Sequence, residues 1–210
     1  MGSCGIGKSL RISLLALALI GAFWSGSAAY AAVTDNLYPT ANYAPNCIDG
    51  NINTPGITYC KTDNAALSVW VESSISVTSK NIITNILNGQ FNPTDLNVSF
   101  ASTPVYTGGA ETDIIYRLGA VPSGAIAVAY CDDAIDTRLC DQHYVSFNDA
   151  FPIANVICHE SGHAVGLTHG QNAAPRLANT DGRLACMRTP SVGSITTLEA
   201  NNEENINANY

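Results

Sequence analysis

The sequence predicts an α+β fold, and three patterns in its 210 residues indicate this class. An apolar stripe with helical period comes first, and four short runs rich in β-branched and aromatic residues follow between Gly and Pro turns. Two more helical segments end the chain. Hydrophobic residues make up 46% of the sequence, which is enough to bury a sizeable core.

The first predicted helix runs from about Ala65 to Leu87. Asp63 or Asn64 is its candidate N-cap, and Asn88-Gly89 is its stop signal. Its apolar stripe, at spacings of three and four residues, consists of Leu67, Val71, Ile75, Ile82 and Ile86, with Thr78 between them.

The later elements are predicted from strand alternation and from helix caps. Asn148-Asp149 followed by Pro152 indicates the start of a second helix. A last helix is expected over Ser194–Tyr210, with Leu198 and Ile206 facing inward together with Tyr210. The four predicted strands are Leu96–Phe100, Asp113–Leu118, Ala125–Tyr130 and His143–Phe147.

The N-terminus has the pattern of a secretory signal peptide. Lys8 and Arg11 precede an apolar run from Ile12 to Trp24, and Ala29-Tyr30-Ala31 fits the small-x-small cleavage rule. Residues 1–31 are therefore the predicted signal peptide, with cleavage after Ala29 as a close second. The apolar run is short for a bilayer, which needs about 20 residues, so a retained anchor is the less favoured alternative. The mature protein is expected to be secreted and extracellular.

Charge excludes some classes of partner. Loss of the signal peptide leaves 7 basic and 17 acidic residues, so the net charge falls from -8 to -10. No basic patch survives, and binding to nucleic acid or to an anionic membrane is not expected. The mature chain is expected to be a monomer.

Residues 32–62 are rich in Asn, Pro, Thr and Tyr and show no helical period. They form either an N-terminal arm or a short pro-segment. Residues 63–210 form the main domain.

Six cysteines remain after the predicted cleavage, an even number that suggests three disulfides in an exported protein. Six cysteines allow 15 pairings. Proximity in sequence favours Cys47–Cys60 and Cys131–Cys140, which leaves Cys158–Cys186. One or more free, buried thiols are the alternative.

The candidate metal ligands are three of the four histidines in the chain. His159 and His163 are four residues apart, so on a helix they share one face and reach one cation. Gly166 tolerates positive φ, so it can end the helix and turn His169 back to the same ion. Three imidazoles and one open position are typical of catalytic zinc. His143 lies in a strand pattern and is expected to be a packing residue.

Glu160 follows the first ligand and is the candidate catalytic base. A carboxylate at this position lies beside the metal rather than on it, where it can take a proton from a zinc-held water.

The stretch His-Glu-Ser-Gly-His-Ala-Val-Gly-Leu-Thr-His resembles the signature of the metzincin zinc proteases, which carry a methionine turn downstream. Met187 is the single methionine after the predicted cleavage and lies 18 residues beyond His169. In that family the methionine forms an apolar floor beneath the zinc histidines, and the resemblance gives Met187 this role. The ending Ile206–Tyr210 is similar to the final helix of small secreted bacterial members such as the snapalysin-like enzymes.

The subfamily stays open. Snapalysin-like enzymes have Asp at the position of His169. With histidine there, this chain is more similar to the matrixin or astacin pattern. Gly170 matches neither the astacin Glu nor the matrixin Ser.

The resemblance implies a zincin-type fold with a twisted mixed sheet, an active-site helix, a backing helix and a C-terminal helix. Residues 63–170 would form the upper subdomain, and residues 171–210 the lower one with the methionine turn. In this fold the active-site helix packs on that turn, which supports the Cys158–Cys186 pairing. The resemblance also implies that Gly124–Tyr130 pairs with an extended protein or peptide substrate. Arg188–Gly193 would wall the pocket for the side chain just past the cleaved bond.

The implied function is that of a secreted zinc endopeptidase with one catalytic zinc ion, which hydrolyses peptide bonds with Glu160 as general base. One alternative keeps this chemistry but acts on cell-wall peptide amides. Another is a zinc-binding module without proteolysis, against which Glu160 argues, because such a module needs no base. The substrate preference stays open.

The sequence does not favour a calcium site or a cysteine-bound latent form. No calcium-loop motif accompanies the acidic residues near the second disulfide, so a solvated turn is the preferred interpretation. Cys47 or Cys60 could bind zinc in a latent form, as in matrixins, but either would leave its partner unpaired. The acidic residues are Asp132, Asp133, Asp136 and Asp141.

Overall fold

The computed structural model describes Met1 and residues 33–50, 59–148 and 153–210. The predicted signal segment, residues 1–31, lies outside the described residues apart from Met1. The strands are β1 (Lys61–Thr62), β2 (Ser68–Val71), β3 (Ser99–Phe100), β4 (Ile114–Leu118), β5 (Ala127–Ala134) and β6 (Leu139–Phe147). The α-helices are α1 (Val77–Ile86), α2 (Ala154–Ala164) and α3 (Glu199–Asn207), with a π-helical turn at Leu87–Phe91 and 3-10 segments at Gly170–Asn172 and Gly182–Met187.

The strands form one mixed, mostly parallel sheet. Their order is β1-β6-β4-β2-β3, and β5 pairs with β6. The β5–β6 pair is antiparallel, from Ala127 opposite Phe147 to Ala134 opposite Cys140, whereas the other pairs are parallel. Among the described strands β5 pairs only with β6, so its other edge is available to an added strand.

The main core lies where α1 and α2 pack on the sheet. The Tyr116 hydroxyl on β4 lies 2.6 Å from the Ser161 hydroxyl on α2, and both side chains are buried. This hydrogen bond fixes the rotation of α2 over the sheet. Fully buried members of the core include Leu67, Val69, Ile83, Phe91, Ile114, Val145 and Ile157.

The predicted first helix is wrong in its first half. Residues Ser68–Val71 form a strand between β3 and β4, because their β-branched side chains pack on neighbours distant in sequence. The helix begins only at Val77, and Ser76 caps it by accepting a hydrogen bond from the Ser79 amide at 3.1 Å. The proposed cap Asn64 instead accepts a bond from the Ala66 amide in a local turn.

The other predicted elements are present with different bounds. The strand expected at Leu96–Phe100 shortens to Ser99–Phe100, and the last helix shortens to Glu199–Asn207. Helix α2 has Ile153 at its N-cap without a side-chain hydrogen bond, so the predicted Asn148-Asp149 cap is wrong. Asp149 itself and Pro152 lie outside the described residues.

The described part of the arm, residues 33–50, packs into the fold. Leu37 belongs to the main core, and Tyr38 is fully buried. The Asn36 carbonyl accepts a hydrogen bond from the Thr168 amide at 2.7 Å, and the Tyr38 amide donates to the Gly166 carbonyl at 2.8 Å. The arm therefore pairs with the segment that follows α2.

Three disulfides join Cys47 to Cys60, Cys131 to Cys140 and Cys158 to Cys186, the pairs expected from the sequence. Over the ranges that the structure describes, every helix is too short or too polar to span a bilayer.

Candidate metal centre

Three histidine side chains converge at the end of α2. The Nε2 atoms of His159 and His163 lie 3.0 Å apart, and Nε2 of His169 lies 3.1 Å from each. Gly166 makes this possible with a φ of 92°, because it turns the chain back just after α2 ends at Ala164. The structure thus brings together the three histidines that the sequence singles out, and Gly166 makes the turn expected of it.

Hydrogen bonds determine which ring nitrogen carries the proton in His159 and His163. Nδ1 of His159 lies 2.7 Å from the Cys186 carbonyl, and Nδ1 of His163 lies 2.7 Å from the Leu167 carbonyl. A carbonyl only accepts, so in each neutral ring Nδ1 carries the hydrogen and Nε2 presents a lone pair. Lone pairs facing each other at 3.0 Å repel unless a cation lies among them.

The electrostatics keep these rings neutral. Burial lowers the pKa of His159, and burial with the two neighbouring imidazoles lowers the pKa of His163 well below its ordinary value. Burial and His159 lower the pKa of His169 to about 4. Neutral imidazole is the form that binds a metal.

The triangle of nitrogens fits a metal ion. With sides of 3.0–3.1 Å, one point can lie at a Zn–N distance of about 2.0–2.1 Å from all three atoms. Within the described ranges no other set of three His, Cys, Asp or Glu side chains brings its ligand atoms this close. The acidic residues considered for calcium, Asp132, Asp133, Asp136 and Asp141, form no such set there. His159, His163 and His169 can therefore hold a metal ion.

Glu160 lies beside the triangle and is 8% exposed. Its Oε2 atom has no hydrogen-bond partner among the described residues. Burial raises the pKa of this carboxyl to about 7, and a hydrogen bond from the Ala129 backbone opposes the shift. A carboxyl with this pKa can accept and return a proton near neutral pH.

The segment around Met187 packs against α2 and is linked to it. Met187 is fully buried, and a Cβ atom at Gly162 would overlap its sulfur. The Cys158–Cys186 disulfide adds a covalent link, and the bond from His159 to the Cys186 carbonyl adds a polar one. Gly162 is not singled out from the sequence, although a glycine inside a helical pattern is a signal for close packing.

Two cavities open where α2 faces β5. A cavity of about 270 Å³ is lined by Glu160, by Ala127 and by Thr189, Pro190 and Ser191 from the predicted pocket wall. A second, of about 220 Å³, is lined by Glu160, the three histidines, residues of β5 and Tyr59.

Tyr59 is a member of the site that the sequence does not reveal. Its ring stacks on His163 at a centroid distance of 3.9 Å and 13° between planes, and it meets the edge of His169 at 5.5 Å. No motif or periodicity marks this tyrosine. Its place follows from the disulfide at Cys60 and from the pairing of β1 with β6.

The fourth histidine is a packing residue, as expected. His143 is 1% exposed, and its Nε2 lies 3.1 Å from the Cys60 carbonyl. Burial lowers its pKa to about 4, so the ring is neutral.

No protein-family model matches this sequence, and no curated protein matches it. Among solved structures, the crystal structure of myroilysin matches with a TM-score of 0.33 and 15% sequence identity. The match covers 65% of this chain and 56% of that chain, so the present chain spans little more than half of that structure. Similarity at this level identifies neither a family nor a function.

Proposed function

We propose that this protein is a secreted, zinc-dependent endopeptidase with a metzincin-type fold. The observation that carries the proposal is the triangle of three neutral imidazoles beside the buried carboxyl of Glu160. Imidazole ligands suit zinc, and three protein ligands are the usual number in catalytic zinc sites. The three disulfides are typical of an exported protein.

Zinc held by His159, His163 and His169 would act as a Lewis acid toward water and a peptide carbonyl. Glu160 then accepts a proton from the attacking water and passes it to the leaving amide nitrogen. Hydrolysis breaks the C–N bond, and the water supplies the hydroxyl of the new carboxyl and a hydrogen of the new amine. Met187 packs on α2 at Gly162 and would support the helix that carries His159 and His163.

The substrate lies extended along the free edge of β5. Backbone groups of Ala127 and the carbonyl of Ala129 are in position to add a strand there, because β5 pairs with β6 on its other side and the Ala129 amide already bonds Glu160. The cavity walled by Thr189, Pro190 and Ser191 takes the side chain that follows the cleaved bond.

A buried carboxyl oxygen without a partner costs stability. Glu160 therefore favours an enzyme over a zinc-binding module, which would gain nothing from such a group. A cell-wall peptide amidase would use the same residues and would differ in substrate only.

The experiment measures two properties of the purified secreted protein. Its zinc content is determined by titration, and its cleavage of a mixed peptide library is assayed with and without a chelator. We expect about one zinc ion per chain, loss of cleavage with a chelator, and return of cleavage when zinc is restored. His163→Ala should abolish both zinc binding and cleavage, whereas His143→Gln, outside the cluster, should retain both. Cleavage that persists in the metal-free protein would contradict the proposal.

A further inference from the structure

The two cavities lie side by side along one groove. Both contain Ala125, Ala127, His159 and Glu160. The smaller one continues along α2 by one turn to His163 and along β5 to Ala129, whereas the larger one extends the opposite way, to Val156 and Gly124. Glu160 therefore lies between a cavity on each side.

The direction of a bound peptide follows from β5. An added strand antiparallel to β5 runs from the Ala129 end toward the Gly124 end, and antiparallel pairing is the slightly more stable arrangement. Such a peptide passes the smaller cavity first, then Glu160, then the cavity walled by Pro190. The smaller cavity thus lies on the amino-terminal side of the cleaved bond.

Tyr59 is the one aromatic residue other than histidine that lines this smaller cavity. It is held there by its stacking on His163 and by the Cys47–Cys60 disulfide at the next residue. The neighbouring Lys61 backbone packs against the end of α2, where a Cβ at Gly166 would lie only 3.2 Å from the Lys61 Cα atom. Tyr59 is therefore fixed from both sides.

The remaining lining is small and apolar. Pro122, Ala125, Ala127, Val128 and Ala129 contribute short side chains, and no Lys or Arg lines the cavity. Glu160 is the one acidic residue in this lining, and the three histidines are neutral. An acidic substrate side chain would therefore lose its water without gaining a partner.

We propose that Tyr59 is a specificity-determining residue, whose ring sets the size of the apolar side chain accepted on the amino-terminal side of the cleaved bond. This inference rests on the proposed peptidase function. The arm that carries Tyr59 is then part of the substrate-binding groove. Bulky residues are excluded because the ring is braced by His163 and cannot move aside.

The test is the cleavage profile of a peptide library with Tyr59→Ala and Tyr59→Leu, each with its zinc content measured. We expect both variants to bind zinc and to shift toward bulkier apolar residues before the cleaved bond. The ratio of kcat/KM for Phe over Val at that position should rise by roughly tenfold in Tyr59→Ala. The preference after the cleaved bond should not change.

Two comparisons separate the ring from other causes. Tyr106→Ala removes an exposed tyrosine outside the groove and should leave the profile unaltered. Tyr59→Phe keeps the ring and should keep the size preference, so a profile like that of Tyr59→Ala would assign the effect to the hydroxyl and overturn the inference. An unchanged profile in zinc-loaded Tyr59→Ala would overturn the role of Tyr59 and leave the proposed peptidase function intact. A wild-type protein that cleaves no peptide would overturn the proposed function and the role of Tyr59 together.

Discussion

The sulfur of Met187 lies directly against Gly162, in the last turn of the helix that carries His159 and His163. A Cβ atom at position 162 would overlap that sulfur and lie 3.1 Å from the methionine methyl group. Glycine within a helix costs about 1 kcal/mol relative to alanine. Here the close approach of Met187 requires it.

Gly162→Ala should therefore destabilise the protein in spite of the better helix propensity of alanine. We expect a loss of about 1–3 kcal/mol in the free energy of unfolding, together with weaker zinc binding, because Met187 must move or α2 must tilt. Denaturant unfolding and zinc titration measure the two effects. Gly89→Ala is the matched control, since open space surrounds that position. Equal effects of the two substitutions would show that the contact is unimportant.

The Cys158–Cys186 disulfide is expected to act on both stability and zinc. Its loop of 28 residues predicts a loss of roughly 3 kcal/mol when both cysteines become alanine. Zinc should also dissociate faster, because Cys186 orients His159 through its carbonyl. Removing Cys131–Cys140 in the same way should lower stability without changing zinc affinity. A similar zinc affinity in the two double variants would argue against this role.

The cluster of three histidines could be predicted from the sequence because its geometry is local. One helical turn separates His159 from His163, and Gly166 is the nearest residue that permits the turn toward His169. The same holds for neighbouring cysteines such as Cys131 and Cys140. Short-range spacing determines such contacts, so no long-range information is needed.

The strand Ser68–Val71 and the position of Tyr59 could not be predicted from the sequence, because both depend on long-range pairing. The stretch Ser68–Val71 continues an apolar helical stripe, but its partners on β4, Ile114 and Ile115, are far away in sequence. Tyr59 reaches His163 through a disulfide and a parallel strand pair, neither of which leaves a local pattern at residue 59. In both cases tertiary contacts override the local signal.

The arm is expected to remain in the mature protein. The fully buried Asn36 donates to the Asn202 side chain at 2.9 Å and accepts from Asn201 at 3.1 Å and Asn205 at 3.0 Å, all on α3. Intact mass of the active secreted protein should therefore correspond to a chain that starts near residue 30 or 32. A start beyond residue 59 would identify a removed pro-segment instead.

Asn36→Ala tests the same network energetically. It leaves the buried side-chain oxygen of Asn202 without its partner and removes one hydrogen bond each from the Asn201 and Asn205 amides, so we expect the free energy of unfolding to fall by about 2 kcal/mol. Asn42→Ala is the control, since this exposed arm residue makes one side-chain bond to the Ala173 carbonyl. Its effect should be well under half as large. Equal losses would show that the buried Asn36 network contributes no more than an exposed hydrogen bond.

His143 should make stability depend on pH. In the unfolded chain its pKa is about 6.5, whereas burial lowers the pKa to about 4 in the folded protein. The unfolded state binds more protons between these values, so the contribution is complete above pH 6.5 and is lost as pH falls toward 4. The loss is on the order of 3 kcal/mol. Unfolding curves of His143→Gln should fall less steeply over this range, and parallel curves would exclude the effect.

The most direct measurement is zinc content and peptide cleavage in the same preparation of Glu160→Gln. Glutamine keeps the shape of the side chain and the three histidines, so one zinc ion per chain should remain bound. Cleavage should fall by roughly 10²–10⁴-fold, because an amide cannot accept the proton of water. A zinc-loaded Glu160→Gln protein that cleaves peptides at the wild-type rate would contradict the role of Glu160 and the mechanism that depends on it.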